Sequence, residues 1–356
     1  MNRSAKAVVT GVVILTLLAA GAWVAWKYLP RPAAQPPAAT QPAGRAPVAL
    51  NGSPASAPAE KPKPPAPAPD DAELEPVLDE IASYRPPEAA KLSAEQAADA
   101  LAKGNEALRA GKVLEARTLL NRAYWSGRLS NEQADALRAT LEALAEKTLI
   151  GRGSAVFADD PYTVQYVARL GQTLAKIEGR SGLWLHVPTQ LLTRVNNLQR
   201  PEDIQAEVAY KMVRGPFHAI VSKKRFLMDV YLQREGLERV FIRRFRVGTG
   251  SNGSTPEGLW RVRLGGKSAQ APWYGPDGVV YYGQPGYAFG PKGLWIPLEG
   301  LEEHNRMLTS YGIHSTDDPS SIGKASSRGC IRLGDEDIEL VYSLLYEHWS
   351  TVQVLP

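Results

Sequence analysis

Residues 311–333 read YGIHSTDDPSSIGKASSRGCIRL and contain the only cysteine of the chain, Cys330. His314 lies sixteen positions before it. A thiol reacts as its thiolate, and histidine is the side chain whose pKa lies nearest to neutral pH. Ser327 and Gly329 are small enough to let backbone N–H groups approach a developing oxyanion. One cysteine and one histidine could also be a buried thiol and an unrelated imidazole, but the stretch as a whole favours thiol-based acyl transfer.

The same stretch resembles the catalytic signature of the L,D-transpeptidase family, also called the YkuD-type domain. The resemblance covers residues 217–355. Two upstream pieces also fit the family pattern: the turn STPEG at 254–258 and the apolar segment GLWI at 293–296. The pieces that match in the quoted stretch are His314-Ser315-Thr316, Ser321-Ile322-Gly323 and Ser327-Arg328-Gly329-Cys330-Ile331-Arg332.

The resemblance implies a role for each residue of the signature. Cys330 would be the nucleophile and His314 its general base, with Ser315 orienting the imidazole. Backbone N–H groups around Gly329 would stabilise the oxyanion. Arg332 matches the family arginine, which either holds a substrate carboxylate or braces the loop, and both roles stay open. The residues predicted to bind substrate are Ser327, Arg328 and Arg332.

One position departs from the family pattern. Many members have a second histidine directly before the Gly-Cys pair, whereas this chain has Arg328. No role of that second histidine can be transferred. A neighbouring guanidinium would instead favour the thiolate by its charge without exchanging protons.

The resemblance also implies a reaction. Cys330 would form a thioester with a tetrapeptide stem of peptidoglycan, and an amine would then take over the acyl group in cell-wall cross-linking or protein attachment. Carbapenems would acylate the same thiol. Two alternatives stay open: an L,D-carboxypeptidase that uses water as the acceptor, and a peptidoglycan-binding protein without catalysis. No cofactor is implied.

Length and charge bound the remaining choices. A chain of 356 residues is long enough for two or three modest domains. The net charge of +4 is concentrated in residues 1–70, which carry +5 and leave the rest of the chain at −1. Because no basic stripe with interleaved aromatic residues occurs, nucleic acid is not predicted as a partner. His186, His218, His304 and His348 show no ligand spacing, so no metal site is predicted.

The N-terminus predicts a membrane anchor at 1–29. Residues 7–26 contain no charged side chain, and a helix of this length spans about 30 Å, enough to cross a bilayer. Arg3 and Lys6 precede it, which favours a cytoplasmic N-terminus and an extracytoplasmic catalytic domain. A cleaved signal peptide is the alternative. Residues 30–70 follow as a Pro/Ala-rich, disordered linker.

Helical periodicity covers residues 71–150, and the part from 104 to 124 resembles a single tetratricopeptide-type hairpin. Residues 160–214 then resemble the LysM glycan-binding module through Tyr162-Thr163-Val164 and GQTLAKI at 171–177. This resemblance implies a β-α-α-β order and contact with the peptidoglycan glycan. A packing domain derived from LysM, without sugar binding, is the alternative.

Many short apolar segments between 216 and 356, and one clear helix at 336–348, predict a mainly-β sandwich for the L,D-transpeptidase domain. The expected fold class is therefore multidomain, with an N-terminal membrane helix and linker, a small α-helical region, a LysM-like α/β module and a C-terminal mainly-β domain.

Overall fold

The computed structural model describes residues 92–180 and 183–356, which belong to one compact unit. The predicted membrane anchor and linker, and the first part of the predicted helical region, lie outside these residues. Within the described ranges, no helix has both the length and the apolar character needed to cross a bilayer.

Three helices open the described chain: α1 (Ala94–Arg109), α2 (Val113–Trp125) and α3 (Asn131–Ala145), which continues into a π-helical turn at Glu146–Ile150. Ser93 caps α1, because its hydroxyl accepts from the Gln96 N–H while the Gln96 side chain accepts from the Ser93 N–H. Helices α1 and α2 approach closely at Gly104, where a Cβ atom would lie 2.7 Å from Leu120. The predicted helical hairpin is therefore present.

The central segment has the predicted β-α-α-β order. It consists of β1 (Thr163–Val167), α4 (Leu174–Arg180), α5 (Thr189–Val195) and β2 (Ala209–Val213). Strands β1 and β2 pair antiparallel, with Thr163 opposite Val213. The apolar side chains that define the sequence pattern are fully buried, among them Leu174, Ile177 and Leu192. The segment has this order of elements, whereas its LysM-like identity and its binding to glycan stay predictions.

The C-terminal part is mainly β, as predicted. Its elements are β3 (Phe217–Ser222), β4 (Leu227–Leu232), β5 (Val240–Arg246), β6 (Thr249–Gly250), β7 (Gly258–Val262), β8 (Trp273–Gly275), β9 (Gly278–Val280), β10 (Trp295–Gly300), β11 (Gly312–Ser315), β12 (Ala325–Ser327), β13 (Ile331–Leu333), α6 (Asp335–Leu344) and β14 (Thr351–Leu355). Eight of these described strands form one sheet in the order β13-β11-β10-β7-β14-β3-β4-β5.

Strand β10 has a different partner strand on each of its two halves. Its first half pairs with β11, with Trp295 opposite His314, and its second half pairs with β7, with Leu298 opposite Val262. A strand shared in this way lets the two ends of a sheet face each other across a core. That core is apolar and continuous from the central segment to β14.

The chain after β13 differs from the prediction in two elements. Strand β14 was not predicted, although it lies between β7 and β3 in the sheet. Helix α6 ends at Leu344 rather than at His348, because Leu345 takes an extended conformation. The Tyr346 N–H then bonds to the Ser350 hydroxyl at 2.7 Å, which turns the chain into β14.

The helical region covers the free edge of the sheet at β5. The Asn121 side chain accepts the Phe241 N–H at 2.6 Å, and the Glu142 carboxylate accepts the Arg244 N–H at 3.2 Å. Phe241 itself is buried among helix residues, with its ring 5.0 Å from that of Tyr124. Side chains from the helices thus satisfy edge N–H groups that would otherwise be open to another strand.

A buried ion pair links this helical region to the segment before β1. Arg117 donates to both carboxylate oxygens of Asp160, at 2.9 and 2.7 Å, and to the Thr148 hydroxyl at 2.8 Å. The side chains of Arg117 and Asp160 are at most 1% exposed. A buried charge that loses its partner is strongly destabilising.

We therefore expect Arg117→Met to lower the free energy of unfolding by about 3–5 kcal/mol, since it leaves Asp160 buried and unpaired. The measurement is chemical denaturation followed by circular dichroism. Lys103→Met is the matched control, because its pair with Asp99 is more than half exposed and should cost no more than about 0.5 kcal/mol. Equal losses in the two variants would contradict the expected role of burial.

Candidate active site

Parallel pairing of β11 with β13 brings the signature residues together. His314 lies directly opposite Arg332, and Cys330 immediately precedes β13. The fifteen residues between His314 and Cys330 therefore lie mostly in the connection between these two neighbouring strands. Cys330 itself lies on the loop that leads directly into the edge strand β13.

The imidazole of His314 is 4% exposed and is enclosed by aromatic rings. The ring centroids of Phe289 and Trp295 lie 4.6 and 5.8 Å from its own. Its Nδ1 bonds to the backbone carbonyl of Ser315. Because a carbonyl can only accept, Nδ1 carries the proton and the lone pair lies on Nε2. Nε2 is thus the atom that can act as a base.

The environment of His314 favours its neutral form. The pKa of the imidazole is lowered to about 4, mainly by burial and to a smaller extent by the charge of Arg332, against the opposing effect of the hydrogen bond to Ser315. A histidine with this pKa is neutral at physiological pH. It is therefore ready to accept a proton there.

Ser315 contributes through both its main chain and its side chain. Its carbonyl orients His314, while its fully buried hydroxyl donates to the carbonyl of Phe289 at 2.5 Å. The hydroxyl thus fixes the position of the residue whose ring packs on the imidazole. The expected orienting role of Ser315 corresponds to the backbone contact.

The Cys330 thiol is partly buried and donates to the carbonyl of Ser310 at 3.7 Å. Burial raises the pKa of the thiol above its usual value, although the Gly312 N–H and the Arg332 charge act in the opposite direction. Both reacting groups are therefore neutral at rest, and the thiol must lose its proton during the reaction.

The loop before Cys330 is held by Ser327, which is 2% exposed. The Ser327 hydroxyl donates to the Cys330 carbonyl at 2.6 Å and accepts the Gly329 N–H at 3.1 Å. This corrects two expectations. Ser327 braces the loop instead of facing substrate, and the Gly329 N–H is already bonded and cannot also point at an oxyanion.

Gly329 is nevertheless required at its position. Its φ of +132° lies in a region that side chains rarely adopt, and a Cβ atom there would lie 2.5 Å from the ring of Tyr311. Among the described residues, the backbone N–H groups of Arg328 and Cys330 donate to no protein acceptor. These two remain as candidate oxyanion donors.

The two arginines of the signature have different environments. Arg328 is exposed, and its charge is not among the causes that shift the pKa of Cys330. Arg332 is half-buried and acts on both Cys330 and His314. Its buried Nε has no hydrogen-bond partner among the described residues. The cation expected beside the thiol is therefore Arg332 rather than Arg328.

The aromatic segment before β10 packs against the protein on one side and is exposed to solvent on the other. Strands β8 and β9 form a hairpin in which Trp273 lies opposite Val280, and both pack against Phe289 and its neighbours. Tyr274 in the same hairpin is 75% exposed. The hairpin thus combines packing near His314 with an exposed outer face.

Sequence reasoning did not identify three residues that shape this site. Phe289 packs on the imidazole, the Ser310 carbonyl accepts a hydrogen bond from the thiol, and Thr255 donates to the Gly329 carbonyl at 2.9 Å. Only Thr255 had a sequence signal, since it belongs to the quoted turn at 254–258. The contacts of Phe289 and Ser310 depend on segments that meet only in the folded chain.

In the part of the chain that the structure describes, no group of three or more His, Cys, Asp or Glu side chains could hold a metal ion.

Comparison with known proteins finds similarity in the C-terminal part of the chain. Residues 216–354 match the model of the YkuD family, the L,D-transpeptidase catalytic domain. YkuD of Bacillus licheniformis, named as an L,D-transpeptidase, is 48% identical to this chain over 72 residues. The match covers 20% of this chain and 37% of that protein. YqjB of Bacillus subtilis, named in the same way, is 30% identical over 125 residues, or 35% of this chain and 63% of that protein. The chain thus spans less than two thirds of these relatives.

A solved structure of an L,D-transpeptidase from Mycobacterium smegmatis is also similar. It is 14% identical, with a TM-score of 0.29, and the match covers 42% of this chain and 64% of that chain.

Proposed function

We propose that this protein is a cysteine-dependent peptidoglycan L,D-transpeptidase, with Cys330 as nucleophile and His314 as general base. The observation that carries the proposal is the pairing of β11 with β13, which puts a neutral imidazole and a guanidinium with an unpartnered Nε on the two strands next to Cys330. The match of residues 216–354 to the L,D-transpeptidase catalytic domain supports the substrate class.

In the first half of the reaction, the Cys330 sulfur attacks the carbonyl of the third residue of a tetrapeptide stem. The thiol proton moves to Nε2 of His314, and the carbonyl electrons form an oxyanion. When the oxyanion collapses, the bond to the terminal D-alanine breaks. Nε2 returns the proton to the leaving amine, and a thioester remains on Cys330.

In the second half, an amine of a neighbouring stem attacks the thioester. His314 takes a proton from that amine and returns it to the departing sulfur, so the free enzyme is restored. Water in place of the amine would give a carboxypeptidase. Both reactions pass through the same thioester. Analysis of the products therefore distinguishes them, whereas detection of the acyl-enzyme does not.

Arg332 is assigned to the anionic part of the substrate. Its half-buried guanidinium has an unpartnered Nε and no ion pair within the described residues. An unpaired cation in a partly dry site attracts carboxylate strongly. A terminal carboxylate of the stem would satisfy it.

This assignment predicts a contrast between the two arginines. Arg332→Gln should lower kcat/KM for tetrapeptide stems by about 10- to 100-fold, the scale of one lost charge-assisted hydrogen bond. Arg328→His, which restores the commoner family residue, should stay within about tenfold because Arg328 is exposed. Steady-state release of D-alanine is the measurement. A larger loss at Arg328 than at Arg332 would mean that the cation which matters has been assigned wrongly.

Membrane anchoring by residues 1–29 and glycan contact by residues 160–214 complete the proposal. The spacer at 30–70 could reach at most about 120 Å if it were extended, at about 3.1 Å per residue. Such a reach would let an anchored enzyme work on a polymer that stands away from the membrane. A cleaved leader would instead release the protein, and N-terminal sequencing of the mature chain decides between the two.

The test of the activity is mass spectrometry of muropeptides after incubation with purified tetrapeptide stems. A dimer that has lost one D-alanine would support transpeptidation. Tripeptide stems alone would show carboxypeptidase activity. Unchanged substrate, with a protein that circular dichroism shows to be folded, would overturn the proposed function.

A further inference from the structure

Thr255 forms a fixed contact with the backbone of the nucleophile loop. Its hydroxyl accepts the Gly250 N–H at 2.7 Å and donates to the Gly329 carbonyl at 2.9 Å. The direction of the second bond follows from chemistry, because a carbonyl oxygen has no proton to give. The side chain is 3% exposed, so water offers little competition for either bond.

This contact sets the orientation of the peptide unit that joins Gly329 to Cys330. The bond is trans and planar, so its C=O and N–H groups point in opposite directions. Since the C=O points at the buried Thr255 hydroxyl, the Cys330 N–H must point away from it. That N–H donates to no acceptor among the described residues.

The loop cannot easily turn this peptide over. A Cβ atom on Gly250 would lie 2.9 Å from the Gly329 Cα, and one on Gly329 would lie 2.8 Å from the Ser254 carbonyl. The two segments therefore touch backbone to backbone. The neighbouring Gly329 N–H is bonded to Ser327, which leaves the Cys330 N–H as the donor whose direction is fixed.

We infer that Thr255 is a positioning residue for the reaction, because its bond to the Gly329 carbonyl aims the Cys330 N–H at the oxyanion. This inference rests on the acyl-transfer function proposed above. Thr255 touches neither the substrate nor the thiol, and it acts through one peptide plane. Its effect should therefore appear only in reactions that pass through an oxyanion.

The experiment compares two reactions of the same thiol. Acylation of Cys330 by a carbapenem forms an oxyanion, whereas alkylation by iodoacetamide displaces iodide and forms none. Thr255→Val keeps the shape of the side chain and removes the donor. It should slow acylation by about 10- to 100-fold, below the effect of losing an oxyanion donor altogether, and leave the alkylation rate at pH 8 within about twofold.

Two further variants complete the design. Thr255→Ser keeps the hydroxyl and should acylate within about threefold of the unmodified protein. Thr118→Val is the matched control, since it removes a Thr hydroxyl that bonds to a carbonyl of α2, far from the loop in sequence. It should change neither rate. If Thr255→Val does not fold, Thr255→Ala takes its place with the same expectation.

The outcomes separate the inference from the function on which it rests. No acylation of the unmodified protein by the carbapenem would count against the proposed function itself. Acylation that is unaffected in Thr255→Val would overturn the role of Thr255. A parallel loss of acylation and alkylation would also overturn it, because the hydroxyl would then be supporting the loop or the thiol in general.

Discussion

Cys330→Ala is expected to abolish acyl-enzyme formation with a carbapenem. Cys330 is the only cysteine of the chain, and its thiol lies on the loop beside His314 and Arg332. Loss of the nucleophile in an enzyme of this type lowers the rate by at least about 10⁴-fold. The mass of the intact protein, followed over time, should stay at its starting value while the unmodified protein gains one carbapenem.

Cys330→Ser is the matched control for folding. Serine keeps the size of the side chain and its ability to donate to the Ser310 carbonyl, but its hydroxyl is a much weaker nucleophile. Both variants should unfold at the same denaturant concentration, within error. An adduct in folded Cys330→Ala would show that another side chain carries the acyl group, and the assignment of the nucleophile would fall.

The sequence predicted the parts of the fold whose patterns are long and locally complete. The capping box at Ser93 and Gln96 is such a pattern, because both of its bonds lie within four residues. Strand β14 escaped prediction because it is only five residues long and follows a helix. Its place in the centre of the sheet depends on pairing with β3, which is more than a hundred residues away.

The same distinction applies to the candidate site. Residues within the signature could be predicted from the sequence, whereas contacts made in the folded chain could not. Cys330 and His314 could be selected from residue types, and Arg332 from the resemblance to the family signature. The hydrogen bonds within the loop could not be predicted, because Ser327 is buried and Arg328 is exposed although they are neighbours in the sequence. Thr255 reaches Gly329 across 74 positions, and no local pattern carries that contact.

His314→Ala should slow acylation by at least about 100-fold, the usual contribution of a general base. The physical reason lies in the pKa values of the Cys330 thiol and the His314 imidazole in the free enzyme. Burial raises that of the Cys330 thiol and lowers that of His314 to about 4, so the free enzyme holds a neutral thiol and a neutral imidazole. Attack on a carbonyl then requires transfer of the proton to Nε2 as the sulfur–carbon bond forms.

The dependence on pH provides the test, and its sign follows from these values. A base works only while it is unprotonated, so the acylation rate of the unmodified protein should fall as pH drops towards about 4, where His314 takes up a proton. Above that range the rate should hold level through neutral pH. In His314→Ala the level region should disappear, and the rate should rise with pH because only the small thiolate fraction reacts.

A thiolate–imidazolium pair at rest would give a different result, since alkylation by iodoacetamide would then be fast at pH 6. Rapid alkylation at that pH, or an unchanged acylation rate in His314→Ala, would show that the thiol is activated by another group.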